Sequence, residues 1–273
     1  LDVRDSDEFS DYKIPGSVNI SLSDLFKFEN ISNIPRDKEI ITICPHGNMA
    51  MVATFALARN GIKSHVLEGG LAGWSQVLNT VKAAKNPIVI QVEKVGKGCL
   101  SHVIVSEDEA IVIDPLYPAE KYLEVARQEG ARITKIIDTH QHADHVSAAQ
   151  QLAKITGASM YESGLEIWNR SYDFLDDKQE IAFGKSKLRV IHTPGHTPGS
   201  LSYVVDEKYV FTGDILFIES IGRPDLRDKA EEFAGQLYDS LHNKLLKLPS
   251  NMIVFPTHHG VSVKSVDGVF LTT

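Results

Sequence analysis

Residues 139–145 read Thr-His-Gln-His-Ala-Asp-His, directly after the apolar run Arg-Ile-Thr-Lys-Ile-Ile-Asp at 132–138. Three histidines and an aspartate this close together are too dense for a solvated face. The apolar run reads as a strand. The cluster therefore sits on a loop at a strand's carboxyl end, where α/β folds place their sites. The two-residue step from His140 to His142 lets both imidazoles converge on one metal. Asp144 and His145 open the helix expected over 147–157 and can reach a second position.

Further ligand types stand on other loops. His-Thr-Pro-Gly-His-Thr-Pro-Gly-Ser at 192–200 offers His196 in a Gly/Pro loop after a strand. Phe-Thr-Gly-Asp at 211–214 puts Asp214 at a strand end, and Phe-Pro-Thr-His-His-Gly at 255–260 puts His258 at another. Imidazole and carboxylate ligands spread over several loops suit an open catalytic site, whereas a closed structural zinc site favours clustered thiolates. The chain has only two cysteines, Cys44 and Cys99, with no CxxC pair. That fits a reducing compartment, and a cytoplasmic location is expected. Cys99 reads as core at the start of a strand. His102, His192, His242 and His259 read as structural.

At 273 residues the chain has room for one large domain or two ordinary ones. The first 85 residues hold 9 basic and 10 acidic side chains, and the remainder holds 19 and 26. An acidic second part lacks the basic footprint of a nucleic-acid binder. No apolar run approaches the ~20 residues of a membrane helix. Neither nucleic acid nor membrane is an expected partner, and a homo-oligomer is compatible with the sequence. The chain opens at Leu1 in what looks like mid-strand, so further residues are expected before it.

The expected class is α/β. Strand, helix, strand and helix signals at 39–45, 47–61, 64–70 and 71–78 imply a small parallel-sheet domain over 1–84. The segment 82–87, Lys-Ala-Ala-Lys-Asn-Pro, reads as a linker. From 85 to 273 the texture changes: three strands in succession over 88–115, a helix over 119–130, then strand and helix units, and a mostly helical 226–248.

The series His140-x-His142-x-Asp144-His145, then His196, Asp214 and His258, resembles the metallo-β-lactamase superfamily over about 88–260. That resemblance implies an αββα sandwich and carries the superfamily's metal positions onto these seven residues. Gly222-Arg223-Pro224-Asp225 and the segment after it resemble the persulfide dioxygenases. This second resemblance implies one Fe(II) per chain held by His140, His196 and Asp214, with His142, Asp144, His145 and His258 shaping the pocket. It also implies Arg223 near a thiol substrate such as glutathione persulfide, which O₂ would oxidise to sulfite.

Residues 1–20, the loop Cys44-Pro45-His46-Gly47-Asn48-Met49 and Leu67–Trp74 resemble the rhodanese family. The implied role is a persulfide on Cys44, at a helix N-terminus that favours thiolate. Met49 stands where sulfurtransferases of that family carry Arg, which puts thiosulfate transfer in doubt. Two other readings stay open. One is a glyoxalase II-like hydroxyacylglutathione thioester hydrolase with two Zn; against it, only 15 residues follow His258, short of the helical substrate domain such hydrolases carry. The other is a non-catalytic sulfur carrier or sensor.

Overall fold

A computed structural model describes residues 1–27, 30–31, 34–166, 172–226, 229–260 and 262–273. The chain divides into two compact units, one of residues 1–77 with 95–97, the other of 78–94 with 98–273. The division at Val77/Leu78 places the expected linker differently: residues 82–85 end a long strand of the larger unit.

In the smaller unit, β1 (Ile40–Thr42) pairs in parallel with β2 (Ser64–Val66), and Asp2 bridges in parallel to Ile43 and Asn19. The helix Asn48–Arg59 turns Ala50, Ala53, Ala56 and Leu57 inward. Most of these pack with Val3, Leu25, Ile31, Ile34, Cys44 and Ile62 into one apolar cluster. Small alanines at helical spacing let the helix lie close against the strands.

The larger unit is built on two sheets. The first contains β3 (Leu78–Lys85), β4 (Ile88–Lys94), β5 (Cys99–Ser106), β6 (Glu109–Ile113), β7 (Arg132–Ile137), β8 (Ser159–Glu162) and β9 (Asp173–Phe174), in that order. Its first four strands run antiparallel and the pairs from β6 to β9 are parallel. The second sheet contains β10 (Glu180–Phe183), β11 (Ser186–His192), β12 (Leu201–Val205), β13 (Tyr209–Gly213) and β14 (Ile253–Pro256). Only its β13–β14 pair is parallel.

Alternation along the strands shows how these sheets stack. In β5 and β6, Ile104, Ile111 and Ile113 join Leu188, Val190, Tyr203, Val205 and Phe211 of the second sheet in a shared core. Their neighbours Val103, Val105, Ala110 and Val112 face the helices Glu120–Gln128 and Ala149–Thr156. On the far side, Ile191, Val204 and Val210 meet Leu237, Leu241 and Leu245. The result is an αββα sandwich. Covered on both faces, β5 and β12 are buried along their whole length, and they carry the long runs of branched and aromatic residues expected of such strands.

The helix expected over 226–248 is Ala230–Asp239, continued by a π-helical turn Ser240–Lys244 and a 3₁₀ turn Leu245–Lys247. Residues 227 and 228 lie outside the described residues. Among the described residues no helix is long and apolar enough to cross a membrane.

Candidate metal centre

Strand ends and loops of the larger unit gather the ligand types at one edge. β7 leads into 138–145, the β11–β12 loop carries His196, β13 ends before Asp214, and β14 ends before Thr257 and His258. His140, His196 and Asp214 are all buried, and one donor atom from each lies within 4.8 Å of the others. Asp214 Oδ2 is 3.7 Å from His140 Nε2 and 3.5 Å from His196 Nε2.

The hydrogen bonds behind these rings set which nitrogen faces the centre. Thr139 donates its hydroxyl to Asp114, 2.9 Å from Oδ2. With its one hydrogen spent, the hydroxyl accepts from His140 Nδ1 at 2.9 Å. His140 Nε2 is thereby bare, and it is buried with no partner. His196 Nδ1 donates to the backbone carbonyl of Arg223 at 3.0 Å, which likewise bares Nε2. His142 donates Nε2–H to Asp114 Oδ1 at 3.1 Å and leaves Nδ1 buried without a partner. Two bare imidazole nitrogens and a carboxylate are a fitting donor set for a divalent metal, and backing bonds of this kind orient such ligands.

Charge states agree with that use. Burial, with help from His142, pushes His140 down to about 3, so it is neutral in ordinary conditions. Burial acts to raise Asp214, but the hydrogen bond and charge of His258 outweigh it and hold the carboxyl well below the usual range. His258 Nδ1 lies 2.6 Å from Asp214 Oδ1.

Asp144, His145 and His258 form a second group, and Cys99 joins it. Cys99, expected as plain core, is buried, but its Sγ lies 3.3 Å from Asp144 Oδ2. His192, His259 and His102 bond to the Pro198 carbonyl, Glu93 and Gln91 respectively, and the His242 ring lies tilted against Tyr238.

Sequence reading missed Asp114. It is buried at a φ of 51°, and it accepts from the Thr139 N–H at 2.7 Å and the Thr257 hydroxyl at 3.2 Å as well as from His142. A single carboxylate thus braces two ligand loops. The available signal was the apolar strand Glu109–Ile113 running straight into an aspartate. Glu166 was also missed: it accepts from the Thr197 hydroxyl at 2.5 Å and the Gly199 N–H at 3.1 Å, on the loop of His196.

The helical segment after Gly222-Arg223-Pro224-Asp225 anchors the same loop. Ser240 donates to the Pro194 carbonyl and Lys244 to the His192 carbonyl, each at 2.7 Å. Gly195 has a φ of 138°, and a Cβ there would strike Leu237. The Arg223 side chain is 65% exposed, and its guanidinium forms a two-pronged pair with Asp225 at 2.7 and 2.9 Å.

In the smaller unit the Cys44 sulfur is buried and accepts N–H bonds from Gly47 at 3.1 Å and Ala50 at 3.3 Å. Gly47 turns the loop at a φ of 98°. Met49 packs on the core of that unit.

Residues 95–258 match the metallo-beta-lactamase superfamily and residues 1–77 the rhodanese-like domain. The chain is 34% identical over 164 residues to the mitochondrial persulfide dioxygenase ETHE1 of Bos taurus, which covers 58% of this chain and 63% of that protein. It is 36% identical over 152 residues to the hydroxyacylglutathione hydrolase of Rhodospirillum rubrum, covering 54% and 56%. It therefore spans less than two thirds of either relative's length. The crystal structure of ETHE1 from Myxococcus xanthus superposes with a TM-score of 0.58 at 28% identity, covering 72% of this chain and 79% of that one.

Proposed function

This chain belongs to the metallo-beta-lactamase superfamily, and within it we propose that the protein is an iron-dependent persulfide dioxygenase with an attached rhodanese-like unit. The observation that carries this reading is the set of three inward donors, His140 Nε2, His196 Nε2 and Asp214 Oδ2. Gly222–Asp225 supports it, because the Arg223 carbonyl of that segment orients His196.

His140, His196 and Asp214 would hold Fe(II), which would supply redox chemistry toward O₂. The chain's own contribution is to hold that donor set. His140 stays neutral, Asp214 stays ionised, and Asp114 and Thr139 lock the loop of His140. His142, Asp144, His145 and His258 shape the pocket around it, and Arg223 offers an exposed cation for the acidic groups of glutathione. The balanced reaction takes glutathione persulfide, O₂ and water to glutathione, sulfite and two protons.

Cys44, with two N–H groups on its sulfur, serves as a carrier of sulfane sulfur. Two free cysteines suit a reducing compartment, and the cytoplasm is the proposed location.

Anaerobic iron loading followed by oxygen-electrode assay tests the reading. One iron per chain, with O₂ consumed only on adding glutathione persulfide and sulfite released, is expected. Cleavage of a hydroxyacylglutathione thioester with no oxygen uptake would overturn it. That second reading, a two-metal hydrolase, is favoured by one observation, the convergence of Asp144, His145 and His258 beside Asp214.

A further inference from the structure

The loop between β11 and β12 that carries His196 is folded back on itself. Thr197 O accepts the Gly195 N–H at 3.2 Å and the Ser200 N–H at 3.4 Å, so a tight turn encloses His196. Leu201 N–H donates to Thr139 O at 2.8 Å and ties the end of this turn to the loop of His140. Within the turn the Ser200 hydroxyl accepts the Thr197 N–H at 3.1 Å. The Thr197 and Ser200 hydroxyls lie 2.8 Å apart, and taken alone either could give the hydrogen.

Glu166 decides which one does. It stands on the loop after β8, a strand of the first sheet, and it is buried. Its Oε1 accepts the Thr197 hydroxyl at 2.5 Å and the Gly199 N–H at 3.1 Å. With the Thr197 hydrogen committed to the carboxylate, Ser200 must donate to Thr197. One oxygen of the first sheet's loop therefore orders the turn of the second. Shape agrees with this: a Cβ on Gly199 would come within 2.7 Å of Glu166 Oε1 and 2.8 Å of its Cγ. The other oxygen, Oε2, is buried without a partner among the described residues. An orphaned buried oxygen costs stability, so this carboxylate is a poor device for holding the fold alone.

We infer that Glu166 is a positioning residue of the metal centre. Acting through Thr197 and Gly199, it holds the turn that aims His196 Nε2 inward. His196 is thus fixed from two directions, by the Arg223 carbonyl on Nδ1 and by Glu166 on the backbone that follows it. The inference rests on the metal-centre reading of this edge and not on the persulfide reaction.

Two measurements on metal-free protein test it. One is cobalt(II) affinity, read by competition with a chromogenic chelator. The other is the tautomer of His196, read by heteronuclear NMR of histidine-labelled protein and assigned by its loss in His196→Gln. Glu166→Ala should lose cobalt affinity by about 10–100-fold. Its His196 ring, a single Nδ1–H tautomer in wild type, should become a mixture. Glu166→Gln keeps an acceptor for Thr197 and Gly199, so it should restore the single tautomer and bind within about threefold of wild type. Adding Thr197→Val to Glu166→Ala should cost no further affinity, because the pair acts as one unit. A merely structural Glu166 would lower the thermal midpoint of the alanine variant and leave affinity and tautomer as in wild type, and that result would overturn the inference. A glutamine variant no better than alanine would overturn it too. Should Glu166→Ala fail to fold, Thr197→Val is expected to show the same losses, and wild-type behaviour there would overturn the clamp. Wild type that binds no cobalt would remove the metal centre and the inference with it. Persulfide-dependent oxygen uptake is measured separately on iron-loaded wild type, and its absence removes only the dioxygenase reading.

Discussion

The backbone carbonyl of Arg223 accepts the Nδ1–H of His196 at 3.0 Å, while the Arg223 side chain turns outward to Asp225. One residue thus has two separable jobs. Its carbonyl fixes the tautomer of a candidate ligand, and its guanidinium is left for solvent or substrate.

Replacing the side chain should therefore spare the metal. Arg223→Ala keeps the carbonyl, so iron content and thermal midpoint should match wild type. The KM for glutathione persulfide should rise by roughly tenfold, as expected for loss of a charge-assisted contact. Gly222→Ala is the converse: an added Cβ would collide with the Asp214 carbonyl. It should lower iron per chain at least about tenfold, since small displacements of ligand backing cost that much. Metal analysis beside steady-state kinetics separates the two.

Asp114 should control metal affinity without touching metal. Its carboxylate accepts from Thr139, His142 and Thr257. Asp114→Asn replaces one acceptor oxygen with a donor and forces a mismatch. Affinity for iron, read by competition with a chromogenic chelator, should fall about 10–100-fold. Unchanged affinity would remove Asp114 from the centre's support.

Asp138 should impose a pH dependence on folding. Burial raises its carboxyl to about 6, and it accepts from Ser147 at 2.9 Å and Tyr172 at 3.2 Å. With the folded value above the unfolded one, the native state binds more protons between about pH 4 and 6. Stability therefore falls as pH rises through that window, by about 3 kcal/mol in all. Urea unfolding of metal-free wild type and Asp138→Asn should show the variant gaining relative stability from pH 4 to 7. A constant difference would show that Asp138 is not the titrating group.

Cys44 should accept one sulfur atom from glutathione persulfide, visible in the intact mass and absent in Cys44→Ser. Thiosulfate should be a poor donor, because Met49 offers no charge to its sulfonate. Met49→Arg should speed transfer from thiosulfate by about tenfold or more, the worth of a charged hydrogen bond. A wild-type rate from thiosulfate matching that from persulfide would contradict this account.

Much of the larger unit was legible because its signals are local. Apolar strands ending in His or Asp, followed by Gly/Pro loops, place ligand types at strand ends whatever the register. Strand and helix order gave the α/β class, and the αββα layering was implied by the resemblance those motifs carry. The segment 82–87 was misjudged as a linker because the end of β3, rich in Lys and Ala, lacks an apolar signature. Its place is set by pairing with β4. Gly222, Arg223 and the helix beyond were legible as a motif but not in their role, since a backbone carbonyl leaves no trace in side-chain type.

The sequence by itself determined which side chains could hold metal and which loops carry them, because ligand chemistry and strand-end position are properties of short segments. Only the tertiary structure decided their grouping. Thr139 and Asp114 turn His140 inward through bonds between β6 and β7 ends that are 25 residues apart. Cys99 stands beside Asp144, more than 40 residues away, because β5 is strapped to the loop after β14. Hydrogen-bond partners and donor distances depend on sheet register, and register is settled by packing across the whole sandwich.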